Sequence, residues 1–291
     1  MIEKKAYAKI NLFLDIESRR EDGYHNIKSI MQTVDWYDII RVEKTIHDGI
    51  KIISNDKRVP TDSSNIVYRV AKAFFGEYGY SDGISVEIEK NIPMSAGMAG
   101  GSSDGAATLE ALNELYGFPF SVEGLIKIGK SVGADIPFCI VGGTKLTSGI
   151  GDIIEDCPAI PNCYILCAKN SNIGVSTPMA YKELDNIYCD FVGYTYSKEK
   201  LENITRAMRG ENIDDMCTSM FNIFEEAIAA DYSSVGEIKL ILEKHGAKKA
   251  MMSGSGPSVF GIFTDREMAE KAYKELCNKG ATAKICLPIN K

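Results

Sequence analysis

The chain has 291 residues, 45% of them hydrophobic and 25% charged, and a formal net charge of −7 at pH 7. Such a chain buries one large core or two modest ones, and two domains are expected. The acidic balance argues against broad binding to nucleic acid, which needs a basic face, but it leaves room for one small phosphorylated ligand held by lysines and backbone N–H groups.

The sequence contains no apolar run of about 18 residues. "MIEKKAYAKI" turns amphipathic at once instead of opening as a signal peptide, so a cytoplasmic location without membrane contact is expected. The eight cysteines form no C-x-x-C pair, and neighbours such as those in "YILCA" and "AKICL" mark them as buried free thiols. His25, His47 and His245 have no second ligand at metal spacing, so no structural zinc site is expected.

In chain order, residues 6–16 alternate Ala8, Ile10, Leu12, Leu14 and Ile16 with Tyr7, Lys9, Asn11, Phe13 and Asp15, which predicts a strand with one apolar face. Strands are also predicted over 38–44, 49–54 and 83–90. Val67, Val70, Ala71, Phe74 and Tyr78 predict a helix capped by Ser63 or Ser64. The next stretch, "PMSAGMAGGSSDGAATL" (93–109), is too small-sided for a strand and too rich in glycine to open as an ordinary helix. Apolar positions resume after it at helical spacing until Gly117, with Ser102, Ser103 or Asp104 as N-cap candidates. A second helix is predicted over about 121–132, then a loop, "GADIPFCIVGGTKL", feeding a strand.

From 157 onward the pattern predicts a strand "CYILCAKN", a helix opened by "STPMAYKEL", two helices within 197–230 and a helix ending at His245-Gly246. Two strands joined by a glycine turn follow in "KKAMMSGSGPSVFGIF", then an Asp265-capped helix and a last strand "ATAKICLP". This order suits an α+β fold. "GIGDIIEDCPAIPN" reads as a break, giving domains over 1–156 and 157–291.

"GLIKIGKS" (124–131) matches the P-loop pattern letter for letter, but Leu125, Ile128 and Val132 make the match the apolar face of a helix, with no strand before it. It is rejected as a phosphate site. The stretch from Pro93 has the needed setting of strand, small-residue loop and helix start, where successive N–H groups at a helix N-terminus cradle an anion. "SGSGPSVF" (253–260) reads as a hairpin turn that is a possible second wall against that loop. On its own, Lys9 is expected to be a solvated lysine beside Asn11. Asp135, between an apolar helix and an apolar strand, needs a partner, and a turn or cap would also satisfy it. Tyr24 and His25 in "EDGYH" and Tyr181 in "VSTPMAY" read as packing residues when taken alone.

Taken together and in order, "AKINLFLDI", "DGYH", "PMSAGMAGGSSDGAATL", "GADIPF", "GGTKL" with "GIGD", "VSTPMAY" and "MSGSGPSVFGIF" resemble the GHMP kinase superfamily over nearly the full chain. Within it they are most similar to the branch acting on a cytidine diphosphate-linked methylerythritol. The resemblance implies an α+β, two-domain GHMP kinase: an N-terminal domain like the second domain of ribosomal protein S5, which binds ATP, and a C-terminal ferredoxin-like α/β sandwich. It implies that Lys9 and Asp135 are catalytic. It implies that Pro93, Met94, Ser95, Ala96, Gly97, Met98, Ala99, Gly100, Gly101, Ser102 and Ser103 hold the ATP phosphates. Asn11, Tyr24, His25 and Tyr181 would bind substrate, with the cytosine ring between the two tyrosines and its edge read by His25. Mg²⁺ is expected with ATP. No protein ligand is assigned to it, because the serine that ligates metal in several GHMP kinases falls on a glycine of this loop.

Three departures from the family pattern stand out. Met98 replaces a leucine, Gly105 replaces an alanine, and Asn222 in "FNIFEEAI" lacks the aspartate that commonly follows it, which leaves Asn222 without a clear role. A kinase for homoserine or mevalonate is the alternative, disfavoured because neither substrate offers a base to stack on. A noncatalytic RNA-binding module is disfavoured by the charge.

Overall fold

The computed structural model describes residues 1–79, 83–170, 174–228 and 233–290. Strands β1 (Ile2–Arg19) and β2 (His25–Thr45) are far longer than predicted. The first half of β2 went unread because Ser29, Gln32 and Thr33 interrupt its apolar pattern. These three are buried, and two are visibly satisfied: Ser29 Oγ donates to the Phe13 carbonyl at 2.7 Å, and Gln32 Nε2 to the Thr33 carbonyl at 2.8 Å.

β3 (Ile50–Ser54) runs parallel to β4 (Gly83–Glu89), and β4 is antiparallel to β2 with Ile39 opposite Glu89. Between them, α1 (Ile66–Tyr78) is capped by Asn65, whose side chain accepts from the Val67 amide at 2.8 Å. The predicted caps fail because Ser64 is already held by Asp62, to which its hydroxyl donates at 2.6 Å.

Helix α2 (Gly100–Leu115) starts earlier than predicted, from Ala99 in a left-handed conformation (φ 55°) with no side-chain cap. Ser103 lies inside the helix, its amide bonded to the Ala99 carbonyl at 2.8 Å, and its hydroxyl donates instead to the Tyr7 carbonyl at 2.6 Å. Gly105 has a packing reason: a Cβ there would sit 2.9 Å from Ile66 Cγ2 and 3.4 Å from Val70 Cγ1 of α1. Close approach of the two helices thus outweighs the roughly 1 kcal/mol of helix propensity that alanine would add.

α3 (Val122–Lys130) absorbs the P-loop pattern into a helix, as the sequence indicated, and a Cβ on Gly129 would meet Ile136 Cγ2 at 2.5 Å. The predicted loop after it is instead a short helix, α4 (Ile136–Val141), which buries Ile136, Phe138 and Ile140 with Pro137 in its first turn, where no N–H is needed. β5 (Thr144–Ser148) pairs antiparallel with β2 and with β6 (Ile153–Asp156), so the segment read as a break is a hairpin turning at Gly149 and Gly151, both at positive φ.

The rest of the chain carries β7 (Tyr164–Asn170), α5 (Thr177–Ile187), α6 (Lys198–Arg209), α7 (Ile213–Ser219), β8 (Phe221–Asn222) and α8 (Phe224–Ile228). It ends with α9 (Ser233–Lys244), β9 (Lys249–Met252), β10 (Val259–Phe263), α10 (Arg266–Asn278) and β11 (Ala281–Cys286). Among the described residues of 197–230 there are three helices rather than two, and the short β8 before the last of them pairs parallel with β1, Phe13 opposite Phe221. β11, β7, β10 and β9 form an antiparallel sheet in that order. Asp265 caps α10 as predicted, accepting from the Glu267 amide at 2.8 Å.

The chain packs as two compact units. Met1–Ala8, Trp36–Ile92 and Ala99–Val141 make the first, whose core includes Val70 and Phe74 of α1, Val86 of β4 and Leu109 and Leu112 of α2. Lys9–Asp35, Pro93–Met98 and Gly142–Lys291 make the second, built around Leu14, Ile16, Leu166, Leu184, Phe224, Met252 and Phe263.

The prediction of one apolar face for β1 is overturned, since every residue from Ala8 to Ile16 is buried. β1 hydrogen-bonds to β2 on one edge and β8 on the other. Its buried polar residues are consequently bonded. Asp15, for one, accepts from the Ile16 amide (2.8 Å), the Tyr194 hydroxyl (2.9 Å) and the Ser197 amide (2.8 Å). Burial nevertheless holds its carboxyl above the usual carboxylate range.

Cys163, Cys167, Cys217 and Cys286 are buried free thiols, whereas Cys189 and Cys277 are exposed, against expectation. No helix among the described residues is long and apolar enough to cross a membrane.

Candidate active site

The glycine-rich loop has its carbonyls and its amides sorted to opposite uses. In the second unit, the Met94 carbonyl accepts from Lys169 Nζ, Ala96 from the Ser258 amide (3.3 Å), Gly97 from Ser253 Oγ (2.9 Å) and Met98 from the Lys9 amide (3.1 Å). The backbone N–H groups from Met94 to Ser102 give no hydrogen bond among the described residues. Ser95, Gly97 and Ala99 take positive φ (49°, 69° and 55°), the alternation that turns successive N–H groups toward one side as an anion nest. In the first unit the run continues into the first turn of α2, whose N–H groups are open by the nature of a helix start.

Gly97 is where the loop is tightest. A Cβ there would lie 2.1 Å from the Ser253 carbonyl oxygen, so the "SGSGPS" turn between β9 and β10 does stand against the loop. That turn is itself anchored by Asn222, 3% exposed, whose amide donates to the carbonyls of Met252 (2.8 Å) and Gly254 (2.9 Å) and accepts from the Phe224 amide (3.0 Å).

Sequence reasoning missed Lys169, left Asn222 without a clear role, and read Ser253 and Ser258 only as part of the turn offered as a second wall. The one available signal was the position of Lys169 and Asn222 within apolar runs. Asn222→Ala is expected to destabilise the protein by about 2–4 kcal/mol, from up to three lost hydrogen bonds and buried carbonyls left unmet. Chemical denaturation with unchanged m-value measures it.

Lys9, predicted to be solvated, is 5% exposed. Its Nζ donates to Asn11 Oδ1 at 2.6 Å, Asn11 Nδ2 donates to Ser29 Oγ at 2.8 Å, and Ser29 donates on to the Phe13 carbonyl. Because the serine proton is committed to that carbonyl, Asn11 must present its NH₂ to the serine and its oxygen to the lysine. The chain of bonds fixes the direction of the ammonium.

Asp135 belongs to the first unit. It stands half-buried immediately before α4, and its carbonyl accepts from the Cys139 amide at 3.1 Å as the helix begins.

The three predicted base-binding residues all lie in the second unit. The ring of Tyr24 is 62% exposed on the turn between β1 and β2. His25 and Tyr181 are stacked, with ring centroids 4.8 Å apart and planes at 19°, and Tyr181 meets Phe224 edge-on at 4.8 Å. His25 Nε2 lies 2.7 Å from Asp185 Oδ1. A carboxylate only accepts, so Nε2 carries the proton, and Nδ1 is the nitrogen without a partner among the described residues.

Comparison with known proteins matches the N-terminal domain of GHMP kinases over residues 65–143 and their C-terminal domain over 197–282. A 4-diphosphocytidyl-2-C-methyl-D-erythritol kinase of Caldicellulosiruptor saccharolyticus is 41% identical over 272 residues, 94% of this chain and 91% of its own length. The enzyme of the same name from Clostridium perfringens is 41% identical over 278 residues, 96% of this chain and 94% of its own. Among solved structures, a 4-(cytidine 5'-diphospho)-2C-methyl-D-erythritol kinase superposes with a TM-score of 0.80 at 26% identity, covering all of both chains. A homoserine kinase from Cytophaga hutchinsonii, 19% identical with a TM-score of 0.76 over 99% of this chain and 96% of its own, shares the fold.

Proposed function

The chain belongs to the 4-diphosphocytidyl-2-C-methyl-D-erythritol kinase family of the two-domain α+β GHMP kinases, and from that premise we propose that it phosphorylates the 2-hydroxyl of 4-diphosphocytidyl-2-C-methyl-D-erythritol. The products are the 2-phosphate and ADP, in non-mevalonate synthesis of isoprenoid precursors. The observation that carries the kinase reading is the loop from Pro93 to Ser103, with its carbonyls tied back and its amides open.

ATP, when bound, would supply the γ-phosphoryl group, and Mg²⁺ with it would offset the phosphate charge. Amides of Met94 to Ser102 hold the phosphates, a role that small side chains permit because nothing stands between the backbone and the anion. Asp135 takes the proton of the attacking hydroxyl, and Lys9 stabilises the charge that develops on the transferred group. The Asn11–Ser29 chain supports this role for Lys9 by aiming its ammonium before substrate arrives.

Cytosine stacks between Tyr24 and Tyr181, and His25 reads its polar edge. We take the N-terminal domain as residues 1–156 and the C-terminal domain as 157–291, a reading that the gap between the family matches, 65–143 and 197–282, supports.

Steady-state kinetics with ATP and the cytidyl substrate tests the proposal, with homoserine and mevalonate in parallel. Turnover of either alcohol without turnover of the cytidyl substrate would overturn the assignment. Tyr24→Ala is expected to raise the KM for the cytidyl substrate about tenfold or more, since an aromatic stack on a base contributes about 1–3 kcal/mol. An unchanged KM removes Tyr24 from the site.

A further inference from the structure

We infer that Asp38, Lys90 and Asp104 form a clamp that sets the spacing between the two stems of the phosphate loop, and that they are positioning residues for ATP; this rests on the ATP-dependent reading above. The three lie in the first unit, on β2, just after β4 and in α2. The β2–β4 register, Ile39 opposite Glu89, brings Asp38 beside Lys90.

Asp38 is fully buried. One carboxylate oxygen accepts from the amides of Asn91 and Ile92, the second at 2.8 Å, and the other accepts from Lys90 Nζ. The same ammonium donates to Asp104 Oδ2 at 2.7 Å. One lysine thus ties the stem that enters the loop, Lys90 to Ile92, to the helix on which the loop leaves. The stems are in close contact as well: a Cβ on Gly100 would lie 3.2 Å from Ile92 Cγ2 and 3.4 Å from Lys90 Nζ.

Two features mark the cluster as positional. The side chains of Lys90 and Asp104 are only 7% and 6% exposed, and a buried ion pair of this kind seldom stabilises a fold more than apolar packing of the same volume would. In addition, Asp104 Oδ1 is buried without a hydrogen bond among the described residues, an arrangement that works against stability and needs another reason to persist. Burial, only partly offset by Lys90, holds the Asp104 carboxyl well above the usual range. The two carboxylates keep Lys90 charged despite the burial that opposes it. Fixed geometry at the loop stems supplies the missing reason, because a nest of amides holds a phosphate only while its ends stay at one separation.

Asp104→Asn keeps the shape and removes the charge. Calorimetric titration of the wild type and the variant with the non-hydrolysable analogue AMP-PNP, and separately with cytidine diphosphate, reads the effect without turnover. Expected are an AMP-PNP affinity about tenfold weaker, the cost of a small misplacement of binding groups, an unchanged cytidine diphosphate affinity, and faster hydrogen exchange over residues 90–104. Lys90→Arg, which keeps the charge and changes the reach, is expected to weaken AMP-PNP severalfold with its melting temperature unaltered.

Unchanged AMP-PNP affinity in both folded variants overturns the inference, as does an equal loss for both ligands, which would signify general loosening. A wild-type chain that binds AMP-PNP but phosphorylates no cytidyl substrate overturns the substrate assignment and leaves this comparison standing. A wild-type chain that binds no AMP-PNP overturns both.

Discussion

Asp135→Asn and Lys9→Ala are each expected to lower kcat at least about a hundredfold, the scale of a lost acid–base or electrostatic group, while the far-UV circular dichroism stays that of the wild type. Asparagine preserves the shape of Asp135 and its carbonyl bond to Cys139, so the variant isolates the proton-accepting charge. Lys9 needs a second variant because its stem is buried and its ammonium holds the Asn11 oxygen. Lys9→Met keeps the apolar stem and removes the ammonium with its hydrogen bond to Asn11. If the two lysine variants lose kcat alike, the loss belongs to the ammonium. If methionine restores most of it, the alanine effect is packing, and Lys9 leaves the mechanism. Near-normal kcat for Asp135→Asn likewise removes that carboxylate.

Gly97→Ala is expected to be the most damaging single-methyl change in the loop. The residue sits at φ 69°, where a Cβ costs roughly 1–2 kcal/mol, and the added carbon would lie 2.1 Å from the Ser253 carbonyl oxygen. That oxygen is backbone, and Asn222 holds the turn on either side of it, so the strain must be relieved by the loop. The expected outcome is a KM for ATP at least about tenfold higher, as when binding groups are displaced by a fraction of an ångström or more, with a lower melting temperature. Gly76→Ala in α1 is the control, since its Cβ would meet nothing within 4 Å. A Gly97→Ala enzyme with wild-type KM for ATP would show that the loop is not held as rigidly as its contacts imply.

What the sequence disclosed, and what it concealed, follows from the range of the interactions involved. Small residues between a strand and a helix are a local signal, so the glycine-rich turn leading into α2, the helical nature of "GLIKIGKS" and the Asp265 cap were all legible. Two-sided burial of β1 was not, because alternation reports the intrinsic polarity of each face, whereas Lys9, Asn11 and Asp15 are buried by strands and side chains distant in sequence. The start of α2 was misplaced for a related reason. Ser103 and Asp104 look like caps in isolation, yet one is committed to Tyr7 and the other to Lys90. Pairing Asp38 with Lys90 requires the β2–β4 register, which no local pattern encodes. Asn222 sits on a two-residue strand, too short to leave any periodicity.

The division of labour in the glycine-rich loop bears on how the protein responds to its surroundings. A grip made of peptide N–H groups has no proton to lose in the working pH range of an enzyme. The protein's share of such a grip is therefore constant with acidity, and the pH dependence that remains comes from the phosphate itself and from the side chains that act on the acceptor alcohol. The same grip has no side chain to mutate. Its hold on an anion is therefore set by the shape of the loop, and that shape can be tuned through the residues that brace it, Lys169, Ser253, Ser258 and Asn222 among them.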